Sequence, residues 1–355
     1  MTQAVPKTIS VLIAEDSPTQ RATLAMMLEE AGGFAIAGMA HDGVEAVTAT
    51  ERLRPDIVLM DCYMPRANGF EATASIMEKC PTPIVMVSSA RSQDEMAHTF
   101  DAIKNGALAF LAKPSFGESA EETAGRDALI QTLRLMSEVK VVGRRRVARK
   151  QPAPHNAGRE VKLIAIAGST GAPGVVAEIL SGAGRREMPP ILIVQHMARG
   201  FVGGFARWLT DHVKFPVRIA EHGMMPISGE AYLAPDDRHI GLDRSGRIAL
   251  SAGPAEEGFR PSANFLFRSV AAVTGASALG VLLSGMGRDG ASGLTALRQT
   301  GATTIAQDEA SCVVFGMPRE AIALGAAEHI LTPGEIARML ASTADHVGGV
   351  PGAKR

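Results

Sequence analysis

Cysteine is scarce in this chain: Cys62, Cys80 and Cys312 stand far apart, and none belongs to a C-x-x-C pair. That excludes a disulfide-stapled scaffold and a zinc site of the usual spacing, and it fits a reducing compartment. Long apolar runs are missing as well. No stretch reaches membrane-spanning length, and Met1–Thr8 holds no apolar core of signal-peptide size. A cytoplasmic chain without membrane insertion is the expectation. An excess of one charge is also absent: 36 basic residues against 37 acidic ones leave a formal net charge of −1. The global field that nucleic-acid or anionic-membrane binding draws on is therefore lacking.

What is present is the balance of a folded protein, 46% hydrophobic and 21% charged over 355 residues, a length comfortable for two domains. Two α/β domains are expected, over 1–137 and 160–347. A basic, proline-punctuated linker (138–159, with Arg144-Arg145-Arg146 and Pro152) joins them, and 348–355 form a tail.

In the first domain, short apolar runs at Ile9–Ala14, Phe34–Ala40, Ile57–Met60, Ile84–Val87 and Ala109–Leu111 alternate with helical patterns. Those patterns lie at Thr19–Glu30, Val44–Leu53, Phe70–Lys79, Glu95–Asn105 and Ala124–Met136. This rhythm predicts a doubly wound parallel sheet of the flavodoxin-like kind. Polar groups follow the runs: Glu15-Asp16, then Asp61, Ser88-Ser89 and Lys113-Pro114. Carboxyl ends of parallel strands share one rim, so these side chains converge. Clustered carboxylates repel unless a divalent cation sits among them, and oxygen ligands suit Mg²⁺. Lys113 and Ser88 would then face an anion arriving at Asp61, an arrangement suited to phosphoryl transfer.

These residues, with Met64-Pro65 and Phe110, resemble the receiver domain of two-component response regulators over about 8–135. The resemblance implies Asp61 as phosphoacceptor and Glu15, Asp16, Asp61 and the Tyr63 carbonyl as Mg²⁺ ligands. It also implies Ser88 and Lys113 as phosphoryl contacts, Phe110 as a rotamer switch and a cis Lys113–Pro114 bond. Glu15 in place of the commoner Asp, and Asn68 before Gly69 where Asp is usual, depart from the pattern.

The second domain repeats the logic. Leu163–Ala167 reads as a buried strand that stops at Gly168-Ser169-Thr170-Gly171, with Pro173 suited to a first helical turn. Further runs at Ile191–Val194, Val217–Ala220, Ala278–Leu283 and Thr303–Ala306 continue a mostly parallel sheet. Glu230–Leu233, His239–Leu242 and Ile248–Ser251 read as an inserted antiparallel hairpin region. Ser169, His196 and Asp289 each follow a strand. A serine needs a base near neutral pKa, and an imidazole needs an acceptor to fix its tautomer. His239 is a rival base and Asp308 a rival acid. Gly285-x-Gly287-x-x-Gly290 matches a dinucleotide fingerprint with Asp308-Glu309 downstream, and a non-catalytic adaptor is a further alternative.

Ala167–Gly171, Gln195-His196-Met197, Tyr232–Pro235, Arg260-Pro261-Ser262, Leu283–Gly290, Ala306–Glu309 and Gly316-Met317-Pro318 resemble the catalytic domain of chemotaxis protein-glutamate methylesterases, the CheB family. The resemblance spans about 160–340 and implies Ser169 as nucleophile, His196 as base, Asp289 as its orienter, and Thr170 and Met286 beside the substrate. It implies methylated chemoreceptors as substrate, with glutamine deamidation by the same route, and a chemotaxis histidine kinase as phosphodonor. The esterase half needs no metal. Backbone amides at Ser169–Gly171 are the expected oxyanion donors, and the unphosphorylated receiver is expected to cover that rim. Ala172, Ala198 and Asn264 depart from the family pattern.

Overall fold

A computed structural model describes residues 8–88, 107, 109–114, 119–139, 160–184, 188–213 and 215–344. The expected helix at 95–105, the tail and all but the first two residues of the expected linker lie outside them. The chain divides into two compact units, 1–148 and 149–355, so the division falls within the expected linker.

In the first unit, strands β1 (Ile9–Ala14), β2 (Phe34–Ala40), β3 (Ile57–Asp61), β4 (Ile84–Ser88) and β5 (Ala109–Ala112) form a parallel sheet ordered β2-β1-β3-β4-β5. Helices α1 (Pro18–Ala31), α2 (Gly43–Leu53), α3 (Gly69–Lys79) and α4 (Ala120–Met136) pack on it. Each strand end expected from sequence lies within a residue of its place, because apolar runs buried on both faces leave little freedom. Leu12, Val58, Met60, Ile84 and Met86 fill one face of the sheet with Ile76 of α3. Helix starts are written locally. Ser17 caps α1 ahead of Pro18, and Asn68 caps α3 in a reciprocal box with Glu71. Asn68 thus departs from the receiver pattern in a position where it serves as a helix cap.

The second unit holds a seven-stranded sheet ordered β14-β13-β12-β6-β7-β9-β8. Its strands are β6 (Leu163–Gly168), β7 (Ile191–Gln195), β8 (Val217–Ile219), β9 (Ala231–Leu233), β12 (Ala278–Leu282), β13 (Thr303–Gln307) and β14 (His329–Leu331). Every pairing in it is parallel. Only β10 (His239–Leu242) and β11 (Ile248–Ser251) form the antiparallel hairpin, as a separate two-stranded sheet. The run at Glu230–Leu233 therefore belongs to the main sheet and not to the hairpin. Its Ala-Tyr-Leu core is buried at every position, the mark of an interior strand, and it pairs with β7 and β8. Helices α5 (Ala172–Ala183), α6 (Val202–Val213), α7 (Ala263–Thr274), α8 (Ala291–Gln299), α9 (Met317–Ala323) and α10 (Pro333–Ala344) cover the sheet. Phe267, Leu294 and Leu297 of α7 and α8 pack with Ala165 and Leu192 in one core.

The cis peptide bond among the described residues is Arg260–Pro261, and Lys113–Pro114 is not cis. The two isomers of an X–Pro bond differ by only about 0.5–1 kcal/mol, so tertiary context decides and the dipeptide alone does not.

Candidate active site

The first unit gathers its polar groups at the switch point between β1 and β3, where the strand order reverses and doubly wound sheets bind ligands. Glu15 and Asp61 are buried there, and one oxygen each of Glu15, Asp16 and Asp61 lie within 4.8 Å of one another. Lys113 Nζ reaches Glu15 Oε2 at 2.8 Å and Asp61 Oδ1 at 3.0 Å. Asp61 Oδ1 also accepts from the Cys62 amide at 2.8 Å. Burial pushes both carboxyls above their usual range, and Lys113 offsets part of that shift. Burial opposes the charge on Lys113, but its two partners outweigh it and raise the ammonium. Among the described residues, the one cation paired with these three carboxylates is Lys113, which leaves acid in excess, and an all-oxygen set of this kind fits a hard divalent ion such as Mg²⁺.

The neighbouring strands bring the remaining groups to the same rim. Asp61 pairs with Val87, Ser88 pairs with Ala112, and the Lys113 amide donates to the Ser88 carbonyl at 2.9 Å. The Ser88 side chain is buried, Phe110 is half-buried against the core, and Tyr63 is exposed with its ring edge-on to Phe70.

In the second unit, the three strands β12, β6 and β7 lie side by side; Ser169 and His196 directly follow β6 and β7, and Asp289 lies in the turn between β12 and α8. Gly168 pairs with Gln195, so Ser169 and His196 are the next residues out on adjacent strands, and the His196 amide donates to Gly168 O at 3.0 Å. The Gln195 side chain ties both ends together, donating to Ser169 O at 2.8 Å and to His196 O at 3.0 Å. On the other flank, the Ser169 amide donates to Ser284 O at 2.9 Å.

Asp289 is fully buried and saturated with donors. Its Oδ2 accepts from His196 Nε2 at 2.9 Å and from the Ala263 amide at 2.7 Å. Its Oδ1 accepts from Ser262 Oγ at 2.8 Å and from the Asn264 amide at 3.0 Å. The carboxylate therefore sits on the N-terminus of α7, where unpaired amides and the helix dipole favour negative charge. Burial raises the Asp289 carboxyl, but His196 and the α7 amides outweigh it and hold the group below its usual range. With Nε2 committed to Asp289, the other ring nitrogen, Nδ1, is buried without a hydrogen-bond partner. The ring is sandwiched from one side by Phe259, centroids 4.0 Å apart and planes 2° apart. Ser169 is buried, and no hydrogen bond joins its Oγ to the imidazole.

Of the expected oxyanion donors, the Ser169 amide is taken by Ser284 O, which leaves those of Thr170 and Gly171. Gly171 has φ 80°, and a Cβ there would lie 2.4 Å from Val313 Cβ, so the turn admits only glycine. Thr170 and Met286 are half-buried at the same sheet edge.

The rivals are otherwise engaged. His239 is buried, with Nδ1 accepting from the Ser262 amide at 3.1 Å and Nε2 on Pro254 O at 2.9 Å, so neither nitrogen is free to act as a base. Asp308 hydrogen-bonds the nearby Ser311 hydroxyl. The glycine-rich turn 285–290 does run from β12 into α8. A pyrophosphate would need the α8 amides, yet Asn264 Oδ1 already accepts from Gly290 N at 3.0 Å, Gly293 N at 2.8 Å and Ser292 Oγ at 2.9 Å.

Sequence reasoning missed three residues of this constellation. Ser262 and Asn264 were visible only as parts of a motif, although a Ser N-cap ahead of an apolar run was a readable signal for α7. Phe259 sits in a loop, where no periodicity marks it.

A family model described as CheB methylesterase matches residues 164–340, and one described as response regulator receiver domain matches 11–122. A protein-glutamate methylesterase/protein-glutamine glutaminase 1 of Syntrophus aciditrophicus is 44% identical over 348 residues, 96% of this chain and 99% of its own. A protein-glutamate methylesterase/protein-glutamine glutaminase 4 of Geobacter metallireducens is 46% identical, covering 95% of this chain and 99% of its own. The solved CheB methylesterase catalytic domain of Thermotoga maritima is 33% identical with a TM-score of 0.49, covering 51% of this chain and 97% of that one.

Proposed function

Because the chain belongs to the CheB family, with a receiver domain ahead of a methylesterase domain, we propose that it is a protein-glutamate methylesterase acting through Ser169, His196 and Asp289. The observation that carries this reading is the His196–Asp289 bond at 2.9 Å, which leaves Nδ1 buried and unpartnered one strand away from Ser169.

Rotation of the Ser169 side chain closes the remaining hydrogen bond, which in free enzymes is commonly loose. Ser169 Oγ then attacks the side-chain carbonyl carbon of a glutamyl methyl ester while Nδ1 takes its proton. The tetrahedral oxyanion is met by the Thr170 and Gly171 amides. As it collapses, the ester C–O bond breaks and the proton on Nδ1 leaves with methanol. Water repeats the sequence on the acyl-enzyme and releases the glutamate side chain and free Ser169. With a glutaminyl substrate the same path expels ammonia, which accounts for the paired activity in the relatives' names. Thr170 and Met286 stand beside the substrate. Asp289 stays ionised throughout and steadies the imidazolium.

The receiver half is the switch. Asp61 accepts a phosphoryl group from a histidine kinase: the new P–O bond forms as the P–N bond of the donor breaks. Lys113 and Ser88 contact the transferred group, and Phe110 reports the change. Glu15, Asp16, Asp61 and the Tyr63 carbonyl would hold Mg²⁺, which when bound neutralises charge on the incoming phosphoryl group. We assign 1–137 to the receiver, 138–159 to the linker and 160–347 to the esterase. The partners are chemoreceptors as substrate and a chemotaxis histidine kinase as donor, in the cytoplasm. Among the described residues no helix is long and apolar enough to cross a membrane.

Methanol release from methylated receptors tests this. Ser169→Ala should abolish it, and Asp61→Asn should retain basal release while losing stimulation by a small phosphodonor. Undiminished release by Ser169→Ala contradicts the assignment.

A further inference from the structure

Phe259 lies face to face with the catalytic imidazole, and its segment is braced from several sides. Glu256 and Phe259 exchange backbone hydrogen bonds of 3.1 and 2.8 Å across a tight turn whose central residues, Glu257 and Gly258, have φ of 50° and 83°. Two successive positive φ values make this a mirror-image hairpin turn, which a non-glycine residue enters only at a cost of about 1 kcal/mol or more. Glu257, the residue held there, pairs with Arg288 Nε at 2.8 Å. Glu256 pairs with Arg268 of α7 at 2.5 Å. Arg260, on the other side of Phe259, donates to Asp237 Oδ1 at 2.6 Å and to Gly253 O at 2.9 Å. Exposed ion pairs contribute little individually. Here they act together on one short segment, and each restrains a different backbone position around the aromatic ring.

We propose that Phe259 is a positioning residue for the hydrolytic reaction, an aromatic plate that holds the His196 ring in the plane where Nε2 meets Asp289 and Nδ1 stays uncommitted for Ser169. The inference rests on the triad reading above. Two physical effects follow from the 4.0 Å coplanar stack. Rotation of the ring about its Cβ–Cγ bond would drive its edge into the Phe259 face, so the productive orientation is retained between turnovers. The imidazole also becomes a cation when it takes the Ser169 proton, and an aromatic face attracts a cation more than a neutral ring. Phe259 therefore favours the charged transition state over the resting enzyme, and its effect falls on kcat. Arg288 links the turn to the segment carrying Met286 and Asp289, so plate and substrate loop are held as one piece.

The test uses the full chain and three variants, Phe259→Leu, Phe259→Trp and Ser169→Ala, with thermal unfolding recorded for each. Methanol release from methylated receptors gives kcat and KM, and the rate of covalent labelling by an alkyl fluorophosphonate reads serine activation without any receptor. For Phe259→Leu we expect kcat and labelling rate to fall about tenfold with KM within about twofold, and for Phe259→Trp to recover most of the loss, as a restored aromatic face should. An unchanged kcat in Phe259→Leu overturns the proposal. So does a loss confined to KM, or an equal loss in the Trp and Leu variants. Should Phe259→Leu unfold, the Trp variant decides: labelling within about threefold of the parent supports the plate, and a loss beyond that in a folded protein overturns it. Release that survives in Ser169→Ala would instead mean that the triad reading itself had failed, a result separable from any behaviour of Phe259.

Discussion

His196 Nε2 and Asp289 Oδ2 stand 2.9 Å apart, and this contact fixes which ring nitrogen carries the proton. An ionised carboxylate accepts only, so Nε2 carries the ring proton and Nδ1 keeps the lone pair. Each oxygen of Asp289 also accepts a backbone N–H from α7. In Asp289→Asn, either orientation of the amide therefore sets its NH₂ against one of those donors. We expect kcat to fall by about 10⁴ with the fold retained, a magnitude typical of a lost orienting carboxylate. Steady-state methanol release measures it, and a loss below about tenfold would contradict the role.

The same carboxyl makes the esterase unit sensitive to acid with a defined sign. Its folded pKa is lowered, so the unfolded state binds the proton more tightly. The stabilisation is fully present above the unfolded value of about 3.9 and is lost as pH falls through the lower folded one. Trp208, the single tryptophan, lies in the esterase unit and reports its unfolding. Urea titrations should show a stability gap between the parent and Asp289→Asn that is constant at neutral pH and closes below about pH 4. A gap that widens on acidification would refute the assignment of the shift.

Gly171→Ala should damage both fold and chemistry. The new methyl group would sit 2.4 Å from Val313 Cβ in a backbone region that side chains avoid. A loss of about 2 kcal/mol in urea unfolding is expected, together with about a hundredfold loss in kcat as the Thr170 and Gly171 amides shift. Wild-type kcat in a folded Gly171→Ala protein would remove these amides as oxyanion donors.

The acid excess around Asp61 predicts a metal-dependent stability of the receiver. Burial raises Glu15 and Asp61 above their usual range, so removing one carboxylate relieves strain while removing Lys113 adds to it. Mg²⁺ should raise the receiver melting temperature, by up to the equivalent of about 2.7 kcal/mol at a hundredfold excess over Kd, and should do so far less in Asp61→Asn. Equal Mg²⁺ response in both proteins would place the ion elsewhere.

Much of this architecture was legible because parallel strands buried on both faces read as plain apolar runs, and chemistry collects where those runs stop. Ser169, His196, Asp61 and Lys113 lie at such ends, and Asp289 lies in the turn that follows one. Ala231–Leu233 was misassigned because a three-residue strand carries too little pattern to separate an interior parallel strand from a hairpin arm. Phe259 and the engagement of His239 were not readable at all. Both depend on loop geometry and on partners 15 to 63 residues away in sequence, which no local signal encodes.

In the proposed mechanism Ser169 is activated through Nδ1 of His196. Peptide mapping after reaction of the full chain with a fluorophosphonate tests it most directly. We expect a single adduct on Ser169 in the parent protein, lost in His196→Gln, which keeps the fold but offers no base. An adduct on another residue, or labelling of Ser169 at the parental rate in His196→Gln, would contradict it.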